Sequence, residues 1–139
     1  MRNRCLLMLS LMAMFTTASA FGQQILKADI PFEFRVGSKV MPAGQYDINL
    51  SYGNIPGTLS LGCYECRAMT VAKTVNTGTG RAPTEAKLVF SQYGDTYFLS
   101  AVWSPGRREG NALPKDKTER EIAHSASLAR TREVLLARR

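Results

Sequence analysis

Leu88-Val89-Phe90-Ser91-Gln92-Tyr93-Gly94-Asp95-Thr96-Tyr97-Phe98-Leu99-Ser100-Ala101-Val102-Trp103 reads as a β-hairpin, and this reading decides the fold. Gly94-Asp95 is a two-residue turn of the kind primed β-turns prefer, and both flanks are rich in aromatic and β-branched residues. With Tyr93 paired to Thr96, Phe90 faces Leu99, Leu88 faces Ala101, and Tyr97 and Trp103 extend the same face. One register thus collects Leu88, Phe90, Tyr97, Leu99, Ala101 and Trp103 on one side. A slip of one residue scatters them.

The same period of two recurs toward the N-terminus. Phe32, Phe34 and Val36 alternate with Glu33 and Arg35, and Tyr46, Ile48 and Leu50 alternate with Gln45, Asp47 and Asn49. Gly37-Ser38 and Pro42-Ala43-Gly44 supply turn chemistry between them. Thr58 to Leu61 and Ala68 to Val75 are further short strands, and Asn76 to Thr84 is a Gly, Thr and Pro loop. This spacing, with no helical pattern between the strands, predicts an all-β fold, a small antiparallel β-barrel or sandwich. Its core is expected to include Phe32, Phe34, Tyr46, Ile48, Phe90, Leu99 and Trp103.

Toward the C-terminus the character changes. Ser104-Pro105-Gly106 breaks the last strand, Leu113-Pro114 follows, and Thr118 and Glu121 have capping-box spacing. A helix is expected over about 119–137. Its stripe of Ile122, Ala126, Ala129 and Leu136 is thin and interrupted by Glu133, while Leu128 and Leu135 fall on the far side, so it should dock shallowly or fray. Every aromatic residue after position 20 lies between Phe21 and Trp103. The expectation is therefore an antiparallel β domain over 21–104 and a basic tail over 105–139.

The first twenty residues read as a cleavable secretory signal. Arg2 and Arg4 give the positive start, Cys5 to Phe15 the apolar run and Ala18-Ser19-Ala20 the cleavage site. Export to the periplasm or beyond is expected, with cleavage near Ala20. No transmembrane segment is expected in the mature chain, since the apolar run falls short of the roughly 20 residues a span needs. The formal charge of +7 becomes +5 without Arg2 and Arg4. Residues 21–104 carry 7 basic against 6 acidic residues, and residues 105–139 carry 9 against 5. An anionic envelope polymer or a lipid surface is the partner this suggests. No nucleic acid is expected, because the cations are interleaved with acids and lack aromatics to stack bases.

Cys63-Tyr64-Glu65-Cys66 is the constellation with the most chemical content. In an exported chain two cysteines this close read first as a disulfide, and a turn at Tyr64-Glu65 would set their Cα atoms about 5.5 Å apart. A thiol-disulfide enzyme is the sharper alternative, with Arg67 as the positive neighbour a reactive thiol needs, and reduced thiols remain open. Arg67 in place of His after Cys66 excludes haem attachment, and the lack of a second pair excludes structural zinc. His124 is the only histidine and reads as a solvated surface group. Thr77-Gly78-Thr79-Gly80-Arg81 lacks the Gly-Lys-Ser/Thr ending of a phosphate-binding loop and reads as a connection. Asp29, Glu33, Asp47, Glu65, Glu85 and Asp95 are isolated, and each reads as a solubilising charge. No catalytic residue, cofactor or metal site is assigned.

Ile30-Pro31-Phe32-Glu33-Phe34, Val36-Gly37-Ser38-Lys39, Pro42-Ala43-Gly44-Gln45-Tyr46, Tyr93-Gly94-Asp95, Tyr97-Phe98-Leu99 and Val102-Trp103 resemble a group of short, exported, uncharacterised bacterial proteins. The likeness extends through Leu113-Pro114 and Glu119-Arg120-Glu121. It implies export and a small β-rich domain with a terminal helix, and it brings no site residues. Cys63 and Cys66 are not part of its pattern. The function expected is a non-enzymatic binding or structural module at the cell envelope. The alternatives are an anionic-surface binder acting through the basic tail, and a small secreted hydrolase or thiol-disulfide enzyme.

Overall fold

The computed structural model describes residues 25–51, 53, 55–78, 81–126, 128–135 and 137–138. The expected signal, residues 1–20, lies outside them. The strands are β1 (Ile25–Ile30), β2 (Phe34–Val36), β3 (Lys39–Met41), β4 (Gly44–Leu50), β5 (Thr58–Cys63), β6 (Ala68–Lys73), β7 (Val75–Gly78), β8 (Lys87–Tyr93), β9 (Thr96–Trp103), β10 (Glu109–Ala112), β11 (Arg130–Leu135) and β12 (Ala137–Arg138). One helix, α1 (Lys117–Ser125), is described.

Two sheets face each other. The first runs β12-β1-β4-β5-β6. The second runs β11-β8-β9-β10-β7, with β2 joined to β9 in parallel and carrying β3. Neither closes on itself, so of the two expected architectures the molecule adopts the sandwich. Alternation explains why the layers meet. Leu26, Ala28 and Ile30 on β1, Tyr46 and Ile48 on β4, and Leu59, Leu61 and Cys63 on β5 all turn inward. From the second sheet Leu88, Phe90, Leu99 and Val102 meet them, and Phe34, Val36 and Met41 fill the corner. Phe34 packs edge-on against both Tyr46 and Phe90, with ring centroids 5.2 and 5.4 Å away.

The β8–β9 hairpin forms with Tyr93 opposite Thr96 and Phe90 opposite Leu99, as its turn requires. Farther from the turn the register shifts. A bulge places Leu88 opposite Val102 and Val89 opposite Ala101, leaving Ser100 as the extra residue, whose hydroxyl donates to the Val89 carbonyl at 3.2 Å. Val102 therefore joins the core, whereas Ala101 and Trp103 turn to the outer face of the second sheet. Trp103 is buried there against β10, where a Cβ at Gly110 would fall 2.7–2.8 Å from three indole atoms. Only glycine allows that approach. Of the expected core, Phe32 alone is half-buried, stacked on Tyr97 at 4.2 Å.

The C-terminal expectation needs correction. The helix spans Lys117–Ser125, and its N-cap is Asp116, whose carboxylate accepts from the Glu119 amide at 2.9 Å, two residues before the expected cap. It stops at Ala126, which is extended. Arg130–Leu135 is strand, paired through six residues with β8, and Ala137–Arg138 pairs with β1. Non-local pairing overrides a weak local helix signal: β8 presents a free edge, and Thr131 and Val134 are β-branched. Val134 faces Leu88 and packs against the core, and Arg132 faces Phe90. Residues beyond 104 thus contribute strands to both sheets. They are part of the sandwich border.

Candidate functional site

Ser104-Pro105-Gly106-Arg107 leaves β9 in a tight turn. Pro105 sets the first central residue, Gly106 has φ +74°, and the Arg107 amide points back at the Ser104 carbonyl, 3.5 Å away. The Gly106 amide is anchored on the Pro83 carbonyl at 3.0 Å. Arg107 and Arg108 are thereby displayed at the end of the sandwich where β4 passes to β5. Across from them Ser51 holds φ +88°, a conformation uncommon outside glycine, fixed by the hydrogen bond its backbone N–H donates to the Thr58 carbonyl at 2.8 Å.

Two clefts open between these segments. One, of about 350 Å³, has Ser51, Ser104, Arg107 and Asn111 on its walls above Leu26 and Leu50. The other, of about 370 Å³, lies against Asn76, Arg107, Arg108, Glu109 and Asn111. They share Arg107 and Asn111, and so adjoin. Both arginines are exposed and make no salt bridge among the described residues, while Glu109 is the one carboxylate on the walls. Guanidinium, amide and hydroxyl groups converging on one trough can hold an anion and its neighbouring hydroxyls.

A larger cleft, of about 730 Å³, lies at the opposite end, between the hairpin tip and the far end of α1. Ile122, Ala126 and Leu128 form its apolar wall, and Asp95 and Arg130 its charged rim. Beside it Glu119 is buried, 4% exposed, and accepts from the Tyr93 hydroxyl at 3.2 Å. Burial pushes its carboxyl above the usual carboxylate range, opposed by the Tyr93 hydrogen bond and the Lys115 charge. Asp116 adds a smaller upward push.

Cys63 and Cys66 are bonded, with Cα atoms 5.4 Å apart. The turn is longer than expected: Cys63 pairs with Ala68, so Tyr64 to Arg67 form the loop, closed by an Arg67 N–H to Tyr64 carbonyl bond of 3.3 Å. Arg67 takes φ +51°. The sulfurs pack on β4, 3.1 and 3.2 Å from where a Cβ on Gly44 would sit, with Cys66 Sγ 3.9 Å from the Tyr46 hydroxyl. That hydroxyl donates to the Pro42 carbonyl at 2.5 Å, and burial pushes its pKa up. Cys63 is 3% exposed, and the pair lies on a strand-to-strand turn away from the described helix.

The remaining candidates are scattered. His124 is exposed on α1. Asp29, Glu33, Asp47, Glu65, Glu85 and Asp95 are all exposed, and no group of three or more metal-ligating side chains occurs among the described residues. Asn76, Thr77 and Gly78, expected in a loop, belong to β7 and pair with β10, while Thr79 and Gly80 lie outside the described residues. The arginine trough was not visible as a motif because three separate loops and strands build it. Glu119 carried only a helix-start signal.

The chain matches no protein-family model, no curated protein and no solved structure.

Proposed function

We propose that this chain is an exported, non-enzymatic binding module of the cell envelope, and that its arginine trough holds a linear anionic polysaccharide. One observation carries the reading: two adjoining clefts share Arg107 and Asn111, so cationic and hydroxyl-binding groups lie side by side. Carboxylate-bearing sugars present both partners, an anion for each guanidinium and hydroxyls for Ser51, Ser104, Asn76 and Asn111. A lipid headgroup surface would leave the Asn and Ser groups unused. The deep packing of Cys63 against Gly44 favours a structural disulfide over a thiol enzyme, whose attacking sulfur must be reachable.

Titration calorimetry of residues 21–139 with a polyuronate oligomer tests this. Binding should weaken steeply between about 0.05 M and 0.5 M salt, as the Debye length falls from roughly 14 Å to 4 Å. The double variant Arg107→Ala/Arg108→Ala should bind tenfold or more weakly, from the loss of charge-assisted hydrogen bonds worth about 1.5–3 kcal/mol each. Equal affinity for a neutral glucan, unchanged binding by the variant, or preference for anionic vesicles would overturn it.

A further inference from the structure

β6 ends the first sheet, and its outer side pairs with no described strand. The Met69 carbonyl points outward, because it accepts from the Lys39 ammonium of β3. Alternation then turns the backbone groups of Val71 and Lys73 outward as well, while Ala68, Thr70 and Ala72 bond to β5. β3 lies close to β6 but, among the described residues, pairs only with β2. The seam between β3 and β6 is therefore a strip of unpaired backbone, bridged by one lysine.

Its side chains are apolar where a folded surface is usually polar. Met69 is 48% exposed, Val71 47% and Val40 44%. Such an edge is a template for a further strand. Charge says which strand. Lys39, Arg67 and Lys73 surround the edge and are exposed, with Glu65 the only carboxylate in the β5–β6 turn. Antiparallel pairing of two copies through β6 would bring these cations together, and Lys39 on the Met69 carbonyl already blocks that approach.

We propose that β6 is the docking edge for an extended acidic segment of a partner protein, which adds to the first sheet as a strand. Its backbone takes the outward groups of Met69, Val71 and Lys73, its apolar residues pack on Met69, Val71 and Val40, and its carboxylates draw Lys39 off the Met69 carbonyl. A basic or neutral strand leaves Lys39 in place. The lysine thus acts as a selective plug.

The probe is an acetylated, amidated octapeptide of alternating valine and glutamate, titrated into residues 21–139, with amide hydrogen exchange read residue by residue. The acidic peptide should bind at least tenfold more tightly than its valine-lysine counterpart and slow exchange at Met69, Val71 and Lys73 at least tenfold. Val71→Pro removes an outward N–H without touching a bond to β5, and should abolish binding. Val71→Glu, which keeps the backbone donor but repels the peptide, should also abolish it and serves if the proline variant does not fold. Lys39→Ala should shrink the acidic preference to less than threefold. Arg107→Ala/Arg108→Ala should bind the peptide unchanged, which separates this surface from the trough. Absence of binding, retention of binding by a folded Val71→Glu protein, or self-association that protects these amides as protein concentration rises would overturn the proposal.

Discussion

The second sheet is covered differently on its two faces. Its inner face, with Leu88, Phe90, Leu99 and Val102, meets a whole sheet of apolar side chains, and all four are 2% exposed or less. Its outer face carries Tyr93, Phe98, Ala101 and Trp103 and meets no second sheet: Trp103 lies over Gly110 of the adjoining strand β10, and α1 reaches Tyr93 through Glu119. There the contacts are a glycine pressed on an indole and a buried carboxyl on a phenol. The inner face is closed by area, and the outer face by two specific fits. Losses inside should scale with volume removed, and losses outside with whether one contact survives.

The largest expected effect tests the inner face. Phe90 is fully buried, with Phe32 and Phe34 edge-on at 5.1 and 5.4 Å. Phe90→Ala should destabilise by about 4 kcal/mol, since sheets fixed on both sides cannot collapse into the cavity. Phe98→Ala, as deeply buried but on the face that meets no second sheet, should lose less. Urea unfolding of both variants checks this. Equal losses would mean that the outer face is a second core.

Gly110→Ala tests the outer face by addition. The new methyl lands inside van der Waals contact with the indole, so Trp103 or β10 must move, at a cost of about 1–3 kcal/mol. Trp103 is the only tryptophan, so its fluorescence reports the site directly. A red shift with lowered thermal stability is expected. An unshifted spectrum would show that the cover is loose enough to absorb the methyl.

The same contrast separates what was legible from the residues alone. The β8–β9 turn and its near register were legible because Gly94-Asp95 and the alternating flanks are neighbours in sequence and agree with each other. The bulge at Ser100 was not, because the outer face rewards burial of Trp103 and Phe98 as well, and two-sided burial blurs a period of two. β1 has Leu26, Ala28 and Ile30 in alternation, but it is short and its middle position is only a methyl. β11 carries Arg130, Arg132 and Glu133, and its strand state comes from the free edge of β8, a partner about forty residues distant in sequence. The cysteine pair was legible because its members are three residues apart. The arginine trough was not, since Ser51, Asn76, Arg107 and Asn111 meet only after folding.

The smallest expected effect is also the most specific to the outer face. Glu119 is the buried charge under that cover, and burial raises its folded pKa above the unfolded value while Tyr93, Lys115 and Asp116 modulate it. A raised carboxyl favours the folded state in its protonated form. That contribution is fully present below the unfolded pKa and is lost as pH rises through the folded one, so α1 should dock more firmly in mild acid than at neutrality. Glu119→Gln keeps a polar partner for the Tyr93 hydroxyl and removes the charge. Its thermal midpoint should exceed that of the parent at pH 7, and the two should converge toward pH 4. Convergence from the opposite side, with the parent more stable at pH 7, would mean that the Tyr93 bond and the Lys115 charge outweigh burial, making the ionised carboxylate the form the outer face requires.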